Sequence, residues 1–384
     1  MIYFDNTATS FPKPPCVAEA MVKFMNDIGA NPGRSGHRLA IESGRIVYNA
    51  REAVAELFQL ADPMRIVFTS NVTEALNLAL HGLLKPGDHV ITSSMEHNSM
   101  MRPLRCLEQK GVEVTVIPCS QQGRLDPADI ESAIQPNTVM VALNHASNVT
   151  GSVLPIEKVG LIARAHDLLF LVDAAQTAGV LTIDIEKDCI DLLGFTGHKS
   201  LYGPMGTGGL IVGERVDLNA FDMIKCGGTG SRSEHENQPE FLPDKFESGT
   251  PNAVGLAGLN ASLRWILTQG VDQIRSHEIR LTKLLIAGLK TIPRVQVYGT
   301  LNAEQQIATV SFNVLGKEPS EIGLRLDEEF DILCRVGLHC SPASHKTMGT
   351  FPAGTVRFGL GFFNTKEQVD YAIAAIRKLA EEVK

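Results

Sequence analysis

Lys199 is the residue of this sequence best placed for covalent chemistry. It sits in Phe195-Thr196-Gly197-His198-Lys199-Ser200-Leu201-Tyr202-Gly203-Pro204, after the strand-like run Ile190 to Phe195 and before a Gly/Pro-rich segment ending at Gly208-Gly209. Backbone on both sides pins such a lysine, and Thr196 and His198 can donate to an anion beside it. Upstream, Asp173 ends the apolar run Leu168 to Val172, where an aspartate either points into a site or caps the next element. An isolated loop lysine is ordinarily a solvated cation, so the neighbouring loops decide what Lys199 does.

After Phe68, Thr69-Ser70-Asn71-Val72-Thr73-Glu74 opens a helix whose free N–H groups and Thr73 hydroxyl suit an anion, although Thr or Ser at a helix start is commonly only a cap. After Ile91 comes Glu96-His97-Asn98-Ser99, where His97 is either solvated or set to stack on an aromatic group or shuttle protons. After Leu143, Asn148 is a turn residue with either a structural or a binding part. A carboxylate on a pyridinium nitrogen, a lysine imine and an anion cradle are the three requirements of pyridoxal 5′-phosphate. Asp173 and Lys199, with Thr73, Thr196 and His198 as the cradle, supply all three.

Positioning these residues calls for alternating strands and helices. Strands are expected at Arg65 to Thr69, Val90-Ile91, Val112 to Ile117, Val139 to Leu143, Leu168 to Val172 and Leu210 to Val212, separated by helical segments such as Thr73 to Leu83 and Asn98 to Lys110. Apolar strands divided by helices imply a mainly parallel sheet covered on both faces, with ligands at the carboxyl ends of the strands. The segment Lys225 to Asn252 lacks periodicity and reads as a surface or interface excursion. Beyond two long helices, strands at Val295 to Tyr298, Ala308 to Phe312, Ile332 to Val336 and Thr355 to Phe358 form a smaller α+β unit. The fold class is therefore α/β, with a large domain over 15–255 and a small one made of 1–14 and 256–384.

With 35 basic against 43 acidic residues the net charge is −8, and no basic run interrupts it. This argues against nucleic acid or an anionic membrane as partner. The longest apolar runs are of strand length, and no signal peptide is read, so a cytoplasmic location is expected. Seven scattered cysteines without a CxxC pair point to reduced thiols rather than disulfides or a metal site.

The ordered strings DNTATS, TSNVTEALN, EHNS, ASNVTG, VDAAQ, TGHKSLYGPMGTG, FESGTPN, RVGLHCSP and VRFGLGFFNT resemble the class V aminotransferase family, and within it the cysteine desulfurase and selenocysteine lyase branch. The resemblance covers Tyr3 to Thr365 and implies the fold type I architecture of pyridoxal phosphate enzymes. It further implies Lys199 as the Schiff-base lysine, Asp173 on the pyridine nitrogen, Gln176 on the ring hydroxyl and His97 on the ring face. Val72, Thr73, Thr196 and His198 would hold the phosphate, and Thr250 would reach the phosphate of the neighbouring subunit in a homodimer with a shared active site. Arg357 would take the substrate carboxylate with help from Asn148.

Cys340, beside a histidine and near an arginine, matches the sulfur-accepting nucleophile of the desulfurases, surroundings that favour thiolate. Its short RVGLHC context resembles group II more than group I with its longer flexible loop, which predicts a shielded persulfide. Gly33 and Leu338 stand where group II enzymes usually carry histidine; Arg34 and His37 match the N-terminal loop with a structural or gating part. The implied activity converts L-cysteine to L-alanine and passes sulfur to Cys340, then to an acceptor protein or thiol, as in iron–sulfur cluster assembly. L-selenocysteine lyase activity, another class V reaction in which Cys340 is incidental, and a non-enzymatic sulfur scaffold are the alternatives.

Overall fold

The computed structural model describes residues 1–33 and 35–382. Its strands are β1 Ile2–Tyr3, β2 Ile66–Thr69, β3 His89–Ser93, β4 Glu113–Ile117, β5 Thr138–Asn144, β6 Leu169–Asp173, β7 Leu192–Thr196, β8 Gly208–Val212, β9 Val295–Tyr298, β10 Thr309–Val314, β11 Ile332–Leu333, β12 Arg335–Gly337 and β13 Thr355–Gly359. The helices are α1 Pro15–Lys23, α2 Arg38–Phe58, α3 Val72–Leu83, α4 Asn98–Glu108, α5 Pro127–Ser132, α6 Ile156–Ala165, α7 Ala253–Gln269, α8 Val271–Lys290, α9 Pro319–Phe330, α10 Pro342–Met348 and α11 Lys366–Glu381.

Seven strands form one sheet in the order β2-β8-β7-β6-β5-β3-β4. Neighbours from β7 to β4 pair in parallel, and β8 runs antiparallel to both β7 and β2. The strands are buried on both faces because their residues alternate between two cores. Val141, Leu143, Phe170, Val172 and Leu193 pack with α2, α6 and α7 on one side. Val90, Met140, Ala142, Leu171 and Leu192 pack with α3 and α4 on the other. A second, antiparallel sheet β12-β13-β10-β9 packs its apolar face on α8, α9 and α11.

Two expectations differ from the structure. The run Ile332 to Val336 is not one strand: β11 pairs in parallel with β1, and β12 pairs with β13 in the antiparallel sheet. The chain changes partners at Cys334. Helix α10 was not anticipated, because PASHKTM carries little apolar periodicity; its buried Ser344 donates across to Met95 O at 3.1 Å, and His345 Nδ1 lies 2.7 Å from Thr350 Oγ1 just beyond the helix.

Candidate active site

The carboxyl ends of β5, β6 and β7 and the starts of α3 and α4 converge on a cavity of about 290 Å³. Ten of the twelve expected site residues line it: Val72, Thr73, His97, Asn148, Asp173, Gln176, Thr196, His198, Lys199 and Arg357. Parallel strands deliver most of them together because each strand ends at the same edge of the sheet, whereas Arg357 comes from β13 of the antiparallel sheet. Asp173 at the end of β6 lies in register with Asn144 of β5 and Gly194 of β7.

Lys199 is held by its loop. Gly197 N donates to Thr207 O over 2.8 Å, and Gly203 N donates to Gly197 O over 2.7 Å. A Cβ on Gly197 would fall 2.1 Å from Thr207 Oγ1, so only glycine lets the two segments approach this closely. Burial lowers the Lys199 amine to about 8, Asp173 opposing the shift and Arg357 and Arg335 adding to it. Asp173 answers both sequence readings at once: its Oδ1 accepts from Ala175 N at 2.9 Å, and it also faces the cavity. Burial raises its carboxyl, against the pull of the Ala175 amide and of Lys199.

His97 caps α4 through Nδ1, which accepts from Ser99 N at 3.0 Å, so its proton is on Nε2. Ser99 Oγ also lies 2.9 Å from Nδ1 and 2.7 Å from Thr73 Oγ1, which ties the histidine to the start of α3. Burial and the nearby cations Lys199 and Arg335 lower the imidazole to about 3, leaving it neutral. His198 is lowered to about 4 by burial and by Lys199 and Lys13. Thr196 Oγ1 and His198 Nδ1 are buried without a hydrogen-bond partner among the described residues. Orphaned polar atoms beside the N-terminus of α3 fit a phosphate dianion, and the Asp173 carboxylate suits a protonated ring nitrogen. The residues present thus suit pyridoxal 5′-phosphate.

Arg357 on β13 is almost completely buried. Its Nη1 donates to Asn148 O at 3.0 Å and its Nη2 to Asp5 Oδ1 at 2.8 Å, while Nε has no partner among the described residues. Asn148 in turn donates from Nδ2 to His339 O at 2.7 Å.

Cys340 is not part of the cavity wall but stands on a four-residue loop, 338–341, between β12 and α10. The loop is short, as expected, yet the thiol is exposed rather than shielded. His339 and Cys340 both adopt left-handed backbone, φ 49° and 59°. Asn98 N holds the Cys340 carbonyl at 2.9 Å, and Ser341 Oγ donates to Glu96 O at 2.7 Å. The cation beside the sulfur is Arg335, whose Nη2 lies 3.3 Å from Sγ. The histidine expected to help is committed elsewhere: His339 Nε2 sits 3.1 Å from both Thr355 O and Thr355 Oγ1, and burial holds the ring well below its ordinary range.

Thr250 lies apart from its own chain's site. It is exposed, accepts from Asn31 Nδ2 at 3.4 Å, and lines a different hollow of about 600 Å³ with Gly33, Tyr48 and Lys225. His37 is the N-cap of α2, accepting from Ala40 N at 3.2 Å, which is a structural part; Arg34 lies outside the described residues. All seven cysteines are free thiols. Among the described residues no helix is long and apolar enough to cross a membrane, and no group of His, Cys, Asp or Glu is arranged to hold a metal.

Sequence reasoning missed Ser99, Asn144, Thr7 and Asp5, and noted Arg335 only as a cation near Cys340, not as part of the cavity wall. Asn144 had a readable signal, since it ends β5 as Asp173 ends β6. Thr7 and Asp5 belong to the DNTATS string, but nothing local shows that the N-terminal segment crosses to β13.

The model of the family described as aminotransferase class-V matches residues 2–372. A probable cysteine desulfurase of Methanothermobacter thermautotrophicus is 33% identical over 99% of this chain and 94% of its own. The cysteine desulfurase IscS of Photobacterium profundum is 33% identical over 100% of this chain and 93% of its own. Among solved structures, the apo cysteine desulfurase of Thermococcus onnurineus superposes with a TM-score of 0.93 at 35% identity, covering 99% and 94% of the two chains. The cysteine desulfurase CsdA of Escherichia coli, as its S-sulfonic acid, gives 0.88 at 30% identity, covering 100% and 95%. With the family model spanning nearly the whole chain and the strand-end cavity presenting Lys199 opposite Asp173, this chain belongs to the class-V aminotransferase family.

Proposed function

We propose that the protein is a cysteine desulfurase that converts L-cysteine to L-alanine and carries the released sulfur on Cys340. The observation that carries this reading is the placement of a thiol, with Arg335 at its sulfur, at the rim of a cavity containing Lys199, Asp173 and Arg357. Pyridoxal 5′-phosphate supplies an electron sink for the substrate's α-carbon. Lys199 is its linkage point and moves the α-proton, a task suited to an amine lowered toward neutrality. Val72, Thr73, Thr196 and His198 would hold its phosphate, Asp173 would keep its ring nitrogen charged, Gln176 would serve its ring hydroxyl and neutral His97 its ring face. Arg357 and Asn148 fix the substrate carboxylate.

Cys340 then acts as nucleophile on the substrate sulfur. A sulfur–sulfur bond forms, the carbon–sulfur bond breaks, and its electron pair stays with the carbon skeleton, which takes up protons to become alanine. The persulfide is discharged to an acceptor thiol or protein, and exposure of Cys340 favours such a handover. Residues 15–255, extended by the rest of α7 that packs into the large-sheet core, and the remainder act as the two domains enclosing the site. Thr250 completes the phosphate site of a second subunit in a cytoplasmic homodimer.

The deciding experiment is release of alanine and sulfide from L-cysteine by wild type and Cys340→Ser, together with the mass of the Cys340 peptide. Turnover is expected to fall by about 100-fold or more with bound cofactor retained, and the wild-type peptide should carry added sulfur. Full turnover by Cys340→Ser would overturn the reading.

A further inference from the structure

Arg357 is oriented by a residue outside the cavity wall. Phe4 O accepts from Gly359 N at 2.7 Å and Asn6 N donates to Gly359 O at 3.2 Å, so Asp5 bridges β13 in parallel beside Gly359. Residues two apart on a strand share a face, and this places the Asp5 carboxylate against Arg357. The close approach depends on glycine, since a Cβ on Gly359 would lie 2.2 Å from Thr7 Oγ1.

The segment that carries Asp5 is tied down along its length. Asn6 Nδ2 donates to Asn364 Oδ1 at 3.1 Å, Gln176 Nε2 donates to Thr7 O at 3.1 Å, and Thr7 Oγ1 pairs with Thr309 Oγ1 at 2.8 Å. Ser10 N and Lys13 Nζ each donate to His198 O at 3.0 Å. Asp5 therefore offers a carboxylate at a fixed point. A buried guanidinium needs an anion and satisfied hydrogen bonds, and Arg335 nearby adds repulsion rather than relief. With Nη2 on Asp5 and Nη1 on Asn148 O, the guanidinium plane is set at the cavity wall, and Nε is left without a partner among the described residues, so the side chain still has hydrogen-bonding capacity for a substrate carboxylate.

We infer that Asp5 is the positioning residue that gives Arg357 its selectivity for substrates bearing an α-carboxylate. This rests on the reading of Arg357 as the carboxylate-binding residue. The test uses holoenzyme and compares ligands with and without that carboxylate. L-alanine and ethylamine binding are followed by the absorbance of the bound cofactor, and kcat/KM is measured for L-cysteine and cysteamine. Asp5→Ala is expected to weaken L-alanine binding and raise KM for L-cysteine by about 10-fold or more, while ethylamine and cysteamine stay within about 2-fold. Asp5→Asn, which keeps the acceptor and loses the charge, should fall between and serves if the alanine variant does not fold. Equal loss for both ligand types, or no loss for either, overturns the inference. Arg357→Lys separates the two claims. If it leaves the discrimination intact, the reading of Arg357 fails; if it abolishes the discrimination and the Asp5 variants do not, only the Asp5 inference fails.

Discussion

Arg335 reaches the sulfur of Cys340 with Nη2 at 3.3 Å while also lining the cavity that holds Lys199. One side chain thereby links an exposed nucleophile to a buried site. The guanidinium donates to the sulfur and holds it at one position. Arg335→Ala is expected to slow transfer of sulfur from L-cysteine to Cys340 by about 3- to 10-fold, with Arg335→Lys recovering part of the rate. Peptide mass spectrometry reads the added sulfur on Cys340 apart from the other six thiols, and an unchanged rate would show that the arginine does not act on the sulfur.

The Lys199 amine titrates near 8 instead of 10.5, chiefly through burial. Its neutral form, the one that condenses with an aldehyde, therefore predominates above about pH 8. Lys199 of the apo-protein should react with added pyridoxal 5′-phosphate faster as pH rises, levelling off beyond a midpoint near 8. Asp173→Asn removes the attraction that retains the proton, so its midpoint moves lower. Stopped-flow absorbance across the pH range checks both, and a wild-type midpoint near 10.5 would mean a solvated amine.

Glu278 on α8 is buried, and desolvation raises its carboxyl from 4.5 to about 8 against the pull of Arg275. Between those values the folded chain holds a proton that the unfolded chain has lost. Stability contributed by this group is fully present below about pH 4.5 and is lost as pH rises to about 8, at a slope of about 1.4 kcal/mol per pH unit. Glu278→Gln removes the titration. Urea unfolding at pH 5 and pH 8 should show the variant gaining on wild type at the higher pH; a constant difference would place the carboxyl in its ordinary range.

Buried Arg51 and half-buried Glu247 form an ion pair that joins α2 to the aperiodic segment. Arg51 also donates to Ile66 O, and Glu247 accepts from Phe68 N, so the pair braces the edge strand β2. Glu247→Ala leaves the guanidinium buried and uncompensated, an expected loss of about 3–5 kcal/mol. Replacing both partners with apolar residues, as in Arg51→Met with Glu247→Leu, should recover much of it. Denaturant titrations of the single and double variants test this, and a single-variant loss no larger than that of an exposed pair would refute it.

The parallel strands were legible because burial on both faces makes them short, uniformly apolar runs. Their terminal polar residues, Asp173 and Asn144, stand out against that background. Lys199 was legible because its Gly/Pro-rich surroundings are local to it. These are properties of neighbouring residues, and sequence by itself determined them: the α/β class, the polar residues that end its apolar strands, and a lysine set in a Gly/Pro-rich loop; the sulfur-accepting role of Cys340 came from family resemblance instead. Contacts spanning the chain were not legible. Asp5 meets Arg357 352 positions away, and Asn148 meets the His339 carbonyl 191 positions away. Such pairs leave no periodicity, since their existence depends on the path that brings β1 and its following segment beside β11 and β13. Only the tertiary structure decided that Arg335, and not His339, attends the Cys340 sulfur, and that the N-terminal segment fastens both Arg357 and the lysine loop. The physical reason is that hydrogen-bond geometry is fixed by packing in three dimensions, whereas sequence pattern encodes only which residues are buried and on which face.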